Sequence, residues 1–212
     1  NLVATNDGFS WVAVDGIRSV RDVSRFFTPF RDSDFGLMLW GPGGADYTFC
    51  HRTKVGTLGR TDTLHAFFDC DRNHAEQLAA FIEAGGDILA AAVENARAVG
   101  IRIHFYIRME AFKGPFPWEH TFTTRFYEDH PEWRCRDEFG DEIARMSYAF
   151  PQVQEHMLVY FEELLAYKPD GLCLSFNRGL PMMICEEPVL TEFERREGRR
   201  PGRGVVDGPG GA

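Results

Sequence analysis

The sequence contains no run of about eighteen apolar residues, so nothing in it reads as a membrane-spanning helix. It contains no basic segment leading into a short apolar stretch of the secretory kind either. The chain starts at Asn1 rather than Met, and the expectation is that its true beginning is missing. There is no CxxC pair. The five cysteines (Cys50, Cys70, Cys135, Cys173 and Cys185) are odd in number and loosely spaced. They suit free, mostly buried thiols and a cytoplasmic setting better than a disulfide framework. No HxxxH or HExxH occurs among the seven histidines, so neither a metal site nor another cofactor is expected. An excess of basic residues is also lacking. The formal net charge is -9, which phosphate backbones would repel, so nucleic acid is set aside as a partner. Nothing in the sequence fixes an oligomeric state.

What is present is enough apolar material for a real core. With 212 residues and 44% apolar content, one or two domains are expected. The most informative stretch is Ile101–Phe112, IRIHFYIRMEAF. On a strand, Ile101, Ile103, Phe105 and Ile107 fall on one side, and Arg102, His104, Tyr106 and Arg108 on the other. A helical segment, Asp87–Val99, precedes it, with Asp87 as its cap and Gly100 as its stop. Helix, glycine, strand and then a charged loop is the order found in α/β proteins, where sites lie beyond the carboxyl ends of strands.

Asp34–Trp40 is an apolar run that reads as a first strand, broken by Gly41-Pro42-Gly43-Gly44, with Asp46, Tyr47 and His51 on the loop beyond. Asn1–Arg31 carries no assignable pattern. Lys54–Asp71 reads as a long connection. A helix is expected over His74–Glu83, capped by Asn73 or Asp71. Lys113–Arg145 reads as a long aromatic-rich excursion, of the length that is usually functional. Arg145–Phe150 reads as a short strand or an extended approach. Pro151 suits the first position of a helix that ends near Tyr167-Lys168-Pro169. Asp170-Gly171 then opens a buried strand, Leu172–Phe176, which exits at Asn177-Arg178-Gly179. A last helix covers Pro188–Glu197, and the Gly/Arg/Pro tail is expected to be disordered.

The later motifs are His130-Pro131-Glu132-Trp133, then Asp137 and Gly140, Ser147-Tyr148-Ala149 leading into a helix, and Asp170-Gly171 with Arg178 beyond. With the strand ending in IRMEAF, this order resembles the glycosylhydrolase-like TIM barrels known as "family 10 glycosylhydrolase"-like proteins, over roughly residues 33–197. The resemblance implies an α/β fold and a partial (β/α)8 barrel with roughly half of the strand–helix units. It gives a domain over residues 1–197 and a tail over 198–212. It also implies a site at the carboxyl mouth and a glycan substrate, in some relatives bacterial cell-wall glycan. Where relatives carry an acid near the end of the Asp-Gly strand, this chain has Ser175, Phe176 and Asn177. The chain is expected to be cut at both ends, leaving an unpaired strand edge and exposed apolar surface.

Glycoside hydrolysis usually needs two carboxyl groups. Glu110 is the expected catalytic carboxylate. Its candidate partners are Asp46, Glu119, Glu186 and Glu187, with Asp46 also a substrate-binding candidate. Arg108 and Arg178 would grip sugar hydroxyls or a carboxylate, helped by Asn177, His104 and Tyr106. Trp118, with Phe116 and Trp133, would stack on sugar rings. The competing explanation for these residues is packing and ion pairing across a barrel mouth. Two other functions compete: a carbohydrate-binding barrel that lost an acid at Ser175, and a metal-dependent hydrolase on the same fold.

Overall fold

The computed structural model describes residues 2–9, 16–59, 69–115, 118–176 and 182–201. The chain opens with strand β1 (Leu2–Asn6) and helix α1 (Val20–Phe27), both within the stretch that has no legible sequence pattern. Strand β2 (Phe35–Trp40) is therefore the second strand of the fold and not the first. Two short pairs of residues, β3 (Tyr47–Thr48) and β4 (Thr57–Leu58), bridge the loop after β2. Helices α2 (Asp69–Glu83) and α3 (Ile88–Val99) follow, then β5 (Arg102–Arg108). Helix α2 starts earlier than the expected His74, so neither Asp71 nor Asn73 is its cap.

The excursion after β5 is not a bare loop. It folds into helices α4 (Glu119–Phe122) and α5 (Arg125–Asp129), a 3-10 turn at Pro131–Trp133, and an antiparallel hairpin. The hairpin strands are β6 (Arg134–Arg136) and β7 (Glu142–Met146), so the strand begins earlier than the expected Arg145–Phe150 and shares only Arg145 and Met146 with it. Helix α6 (Pro151–Leu165), strand β8 (Gly171–Ser175) and helix α7 (Glu187–Glu197) complete the described elements. Among the described residues no helix is long and apolar enough to cross a membrane.

Strands β1, β2, β5 and β8 form one parallel sheet in that order. Sequence order and spatial order coincide. Right-handed crossovers then put every connecting helix on the same face, and the packing agrees. Phe27 of α1 stacks on Trp40 at 5.5 Å, α1 packs against α3, and Tyr167, just past α6, meets Phe105 at 6.2 Å. In register, Met38 lies beside Ile103 and Trp40 beside Phe105, so these side chains share that face. Met38, Trp40, Ile103, Phe105 and Ile107 are fully buried there. The opposite face carries Leu37, Leu39, His104, Tyr106, Arg108 and Cys173, all half-buried, with Val3 and Thr5 exposed. Large apolar side chains also stay exposed near the β8 edge and on α6, among them Leu174, Phe176, Leu158 and Leu165.

Local signals hold the helices where the sequence puts them. The Asp87 carboxylate accepts from the Ala90 amide at 2.9 Å, and its second oxygen accepts the Tyr167 hydroxyl at 2.8 Å. Gly100 ends α3 in the left-handed conformation, with φ 81°. Pro151 occupies the first turn of α6, where a missing N–H costs nothing. Cys50, Cys135, Cys173 and Cys185 are free thiols, the first two buried.

Candidate functional site at the carboxyl ends of the strands

The carboxyl ends of β1, β2 and β5 open onto one end of the sheet, and the loops leaving them are tightly tied. The Gly41 amide donates to the Asn6 carbonyl at 2.7 Å, and the Asn6 side chain accepts from the Gly8 amide at 2.7 Å. Gly8 sits at φ +74°, and a Cβ there would lie 1.8 Å from the Gly41 carbonyl oxygen. Only glycine lets the two exits cross so closely. In the GPGG turn, a Cβ on Gly44 would fall 2.0 Å from the Tyr47 ring. The turn therefore folds flat against that ring.

Between these loops and the start of the excursion lies a cavity of about 300 Å³. Asp7, Gly8 and Phe9 line it from the β1 exit, and Pro42, Gly43, Tyr47 and Phe49 from the β2 exit. Arg108, Lys113, Trp118 and Phe122 close it from the β5 side. Its aromatic wall is continuous. Tyr47 stacks on Phe122 at 5.3 Å, and Phe9 meets Phe49 at 5.1 Å and Phe122 at 5.7 Å. The excursion is pinned back to deliver Trp118 and Phe122. The Thr124 amide donates to Phe112 O at 2.8 Å, the Trp118 amide to Pro115 O at 2.7 Å, and the Arg125 amide to the Thr57 hydroxyl at 2.9 Å.

Arg108, the last residue of β5, donates from Nη2 to the Tyr47 hydroxyl at 2.9 Å. Burial pushes the Tyr47 phenol above its ordinary value, against the downward pull of the Arg108 charge. It therefore stays neutral and keeps a proton to donate. The Asp7 carboxylate accepts from the Phe9 amide at 3.0 Å within its own turn. The Lys113 ammonium stands 5.7 Å from the centre of the Tyr127 ring.

Behind the β2 exit loop lies a second, buried polar layer. Asp46, 1% exposed, pairs with His156 Nε2 of α6 at 2.8 Å. The His156 ring stacks on Phe126 at 3.8 Å. Seven residues further along α6, Glu163 receives His51 Nε2 at 2.7 Å, with the Lys54 amide at 2.8 Å and the Val55 amide at 3.2 Å on its other oxygen. Two histidine–carboxylate pairs thus tie α6 to the loop that forms the pocket's β2 wall, the histidine coming once from each side. Glu110 is 7% exposed, in the turn after β5, and its Oε2 has no hydrogen-bond partner among the described residues. The same holds for Asp46 Oδ1 and the Tyr160 hydroxyl. Burial, with the nearby charges of Asp46 and Glu110, holds the Tyr148 phenol far above its usual range, and its hydroxyl donates to Met109 O at 2.8 Å.

Of the residues expected from sequence, Arg108 and Trp118 line the cavity. Asp46 and Glu110 lie beside it in the buried layer. His104 and Tyr106 sit lower on the half-exposed face of β5. Asn177, Arg178 and Phe116 fall outside the described residues, as does residue 202 onward of the expected disordered tail. Glu186 serves packing: its two oxygens accept the Arg136 and Ile184 amides at 3.0 and 2.8 Å. Tyr47, on the loop expected as a second candidate wall, also lines the cavity, whereas Asp7 and Lys113 are cavity residues that the sequence did not single out. Asp7-Gly8 is itself a turn signal after Leu2–Asn6 and marks the exit of β1. Among the described residues, no group of three or more His, Cys, Asp or Glu is placed to hold a metal ion.

Compared with known families and curated proteins, the sequence matches no family model and no curated protein.

Proposed function

We propose that the four strands are an arc of a (β/α)8 barrel whose carboxyl mouth binds a glycan, and that the domain is a carbohydrate-active, glycoside-hydrolase-like one. Coincident strand order with the helices on one face supports the barrel. A doubly wound sheet reverses its strand order and covers both faces. The half-exposed face bearing Leu37, Leu39, His104 and Tyr106 fits a barrel interior.

The observation that carries the function is the cavity at the carboxyl ends. It combines aromatic faces (Trp118, Tyr47, Phe122), which suit the apolar faces of sugar rings, with Arg108, Tyr47 and Asp7, which suit hydroxyls. Its volume is at the small end of ligand sites, the size for the end of a sugar chain. In this reading Asp7 is the carboxylate that touches substrate. Glu110, buried with one oxygen unpaired and two residues past Arg108, is the second acid. An unpaired buried carboxylate oxygen is costly, of order 1–3 kcal/mol, and is kept where it is used.

A second reading, binding without turnover, is favoured by Ser175, where the resembled family carries an acid. A panel of polysaccharides and cell-wall glycan, assayed for new reducing ends, separates the two. Hydrolysis should fall roughly 10²–10⁴-fold in Asp7→Asn and in Glu110→Gln with binding retained. Binding without any turnover in the wild-type chain would establish the second reading.

A further inference from the structure

The mouth pocket carries donors in excess of acceptors. Among its described lining residues, Arg108 and Lys113 bring positive charge against the carboxylate of Asp7, while Glu110 is buried and not part of the lining, on a chain whose net charge is -9. Arg108 is the centre of this arrangement. Its guanidinium has five N–H donors in a fixed fork, and the hydrogen bond to Tyr47 engages Nη2. That bond, with the strand end beneath it, holds the fork at the pocket wall. The neutral Tyr47 hydroxyl accepts from Arg108 and so has its own proton left to give. Two donors side by side, one of them charged, against a low-dielectric aromatic wall, complement a group that only accepts and is itself negative. A neutral sugar hydroxyl can also accept from this pair, but it leaves the Arg108 charge without a counter-charge and forgoes the stronger charge-assisted bond.

Resting on the glycan reading above, we propose that the pocket selects sugars bearing a carboxylate, with Arg108 gripping the carboxylate bidentately and Tyr47 donating to it. Lys113, over the Tyr127 ring at the rim, raises the local positive potential and speeds capture. Trp118 and Phe122 take the apolar face of the same ring. The selection works against the protein's overall charge. It therefore belongs to this pocket and not to the general field of the molecule.

Matched probes test the idea. Oligosaccharides of galacturonic acid, glucuronic acid and N-acetylmuramic acid are titrated by calorimetry, each beside its own carboxyl methyl ester. At least one acid form should bind about 10- to 100-fold tighter than its ester, the range for a charge-assisted pair, and the advantage should shrink as salt rises. Arg108→Gln should abolish the preference, and Arg108→Lys should restore only part of it, because an ammonium lacks the fork. Lys113→Gln should keep the acid form preferred while weakening it severalfold. Unfolding in urea confirms that each variant is folded. Equal binding of acid and ester would overturn this inference and leave the glycan reading standing. An acid preference untouched in Arg108→Gln would also overturn it. Binding of neither form overturns both. Phosphate or sulfate alone displacing the acid sugar at similar concentration would show an anion site without sugar recognition, and refute the proposal.

Discussion

Glu163→Ala is the perturbation through which the tie between α6 and the β2 exit loop can be measured. The carboxylate accepts from His51 Nε2 at 2.7 Å, the Lys54 amide at 2.8 Å and the Val55 amide at 3.2 Å, and the Thr53 side chain also hydrogen-bonds to it. Bonds to a charged acceptor contribute about 1.5–3 kcal/mol when removal leaves a buried partner unpaired, and about 0.5–1.5 otherwise. The His51 side chain is 1% exposed, so it falls in the first class. The amides of an accessible loop fall in the second. For the His51 and two amide bonds the sum is about 2.5–6 kcal/mol, read as a lower urea midpoint at unchanged slope. Glu163→Gln, which keeps one acceptor oxygen, should lose about half as much.

The pH dependence has a definite sign. Burial lowers the His51 pKa, and its bonding to Glu163 only partly restores it. The native state therefore resists a proton that the unfolded chain accepts below about pH 6.5. Burial raises the Glu163 carboxyl, but the His51, Lys54 and Thr53 hydrogen bonds outweigh that, so its net shift is downward. Its contribution is present above the unfolded value near 4.3 and is lost as pH falls through the lower native one. Both groups favour the native state near pH 7, and the pair should weaken in two stages as acid is added. In His51→Gln the stage near pH 6 should vanish from the difference against wild type. A Glu163→Ala variant within 0.5 kcal/mol of wild type at pH 7 would refute the clamp, as would a pH profile unchanged by His51→Gln.

Other substitutions probe the frame of the site. Gly8→Ala puts a side chain at φ +74° against the Gly41 carbonyl and should cost more than about 2 kcal/mol, with the cavity lost; a neutral outcome in thermal unfolding would show that the strand exits do not cross as described. Asp87→Ala removes the α3 cap and the acceptor of the Tyr167 hydroxyl, and should cost about 1–2 kcal/mol in urea unfolding. Trp118→Ala should weaken glycan binding by roughly tenfold, the scale of a lost aromatic contact, while the unfolding midpoint stays put.

Much of the sheet was legible because its central strands announce themselves. Ile103, Phe105 and Ile107 alternate against His104, Tyr106 and Arg108, and the structure splits them between a buried and a half-exposed face accordingly. Asp87, Gly100 and Pro151 mark helix ends by local chemistry that packing did not override. Strand β1 was not legible. It is short, flanks only β2 among the described strands, and leaves Leu2, Val3 and Thr5 exposed, so its pattern carries no burial signal. Missing β1 meant missing Asp7. The β6–β7 hairpin was hidden because its strands are short and paired to each other, although Gly140 at φ +88° after Asp137 was a turn signal in plain view. Glu110 was found two residues past the strand, but alternation stops at Arg108. No period then tells whether a turn residue faces the cavity or the core behind it.

The central claim is that ligand enters at the carboxyl ends of β1, β2 and β5. Amide chemical-shift mapping on labelled protein, titrated with cell-wall oligosaccharide and with acidic oligosaccharides, tests it directly. Saturable shifts are expected, confined to Asp7–Phe9, Gly43–Tyr47, Arg108–Gly114 and Trp118–Phe122, and those caused by the acidic sugars should be strongly reduced in Arg108→Gln at the same concentrations. Shifts clustered instead at the amino ends of the strands or on the outer faces of α3 and α6, or no shifts with any of these sugars, would contradict it.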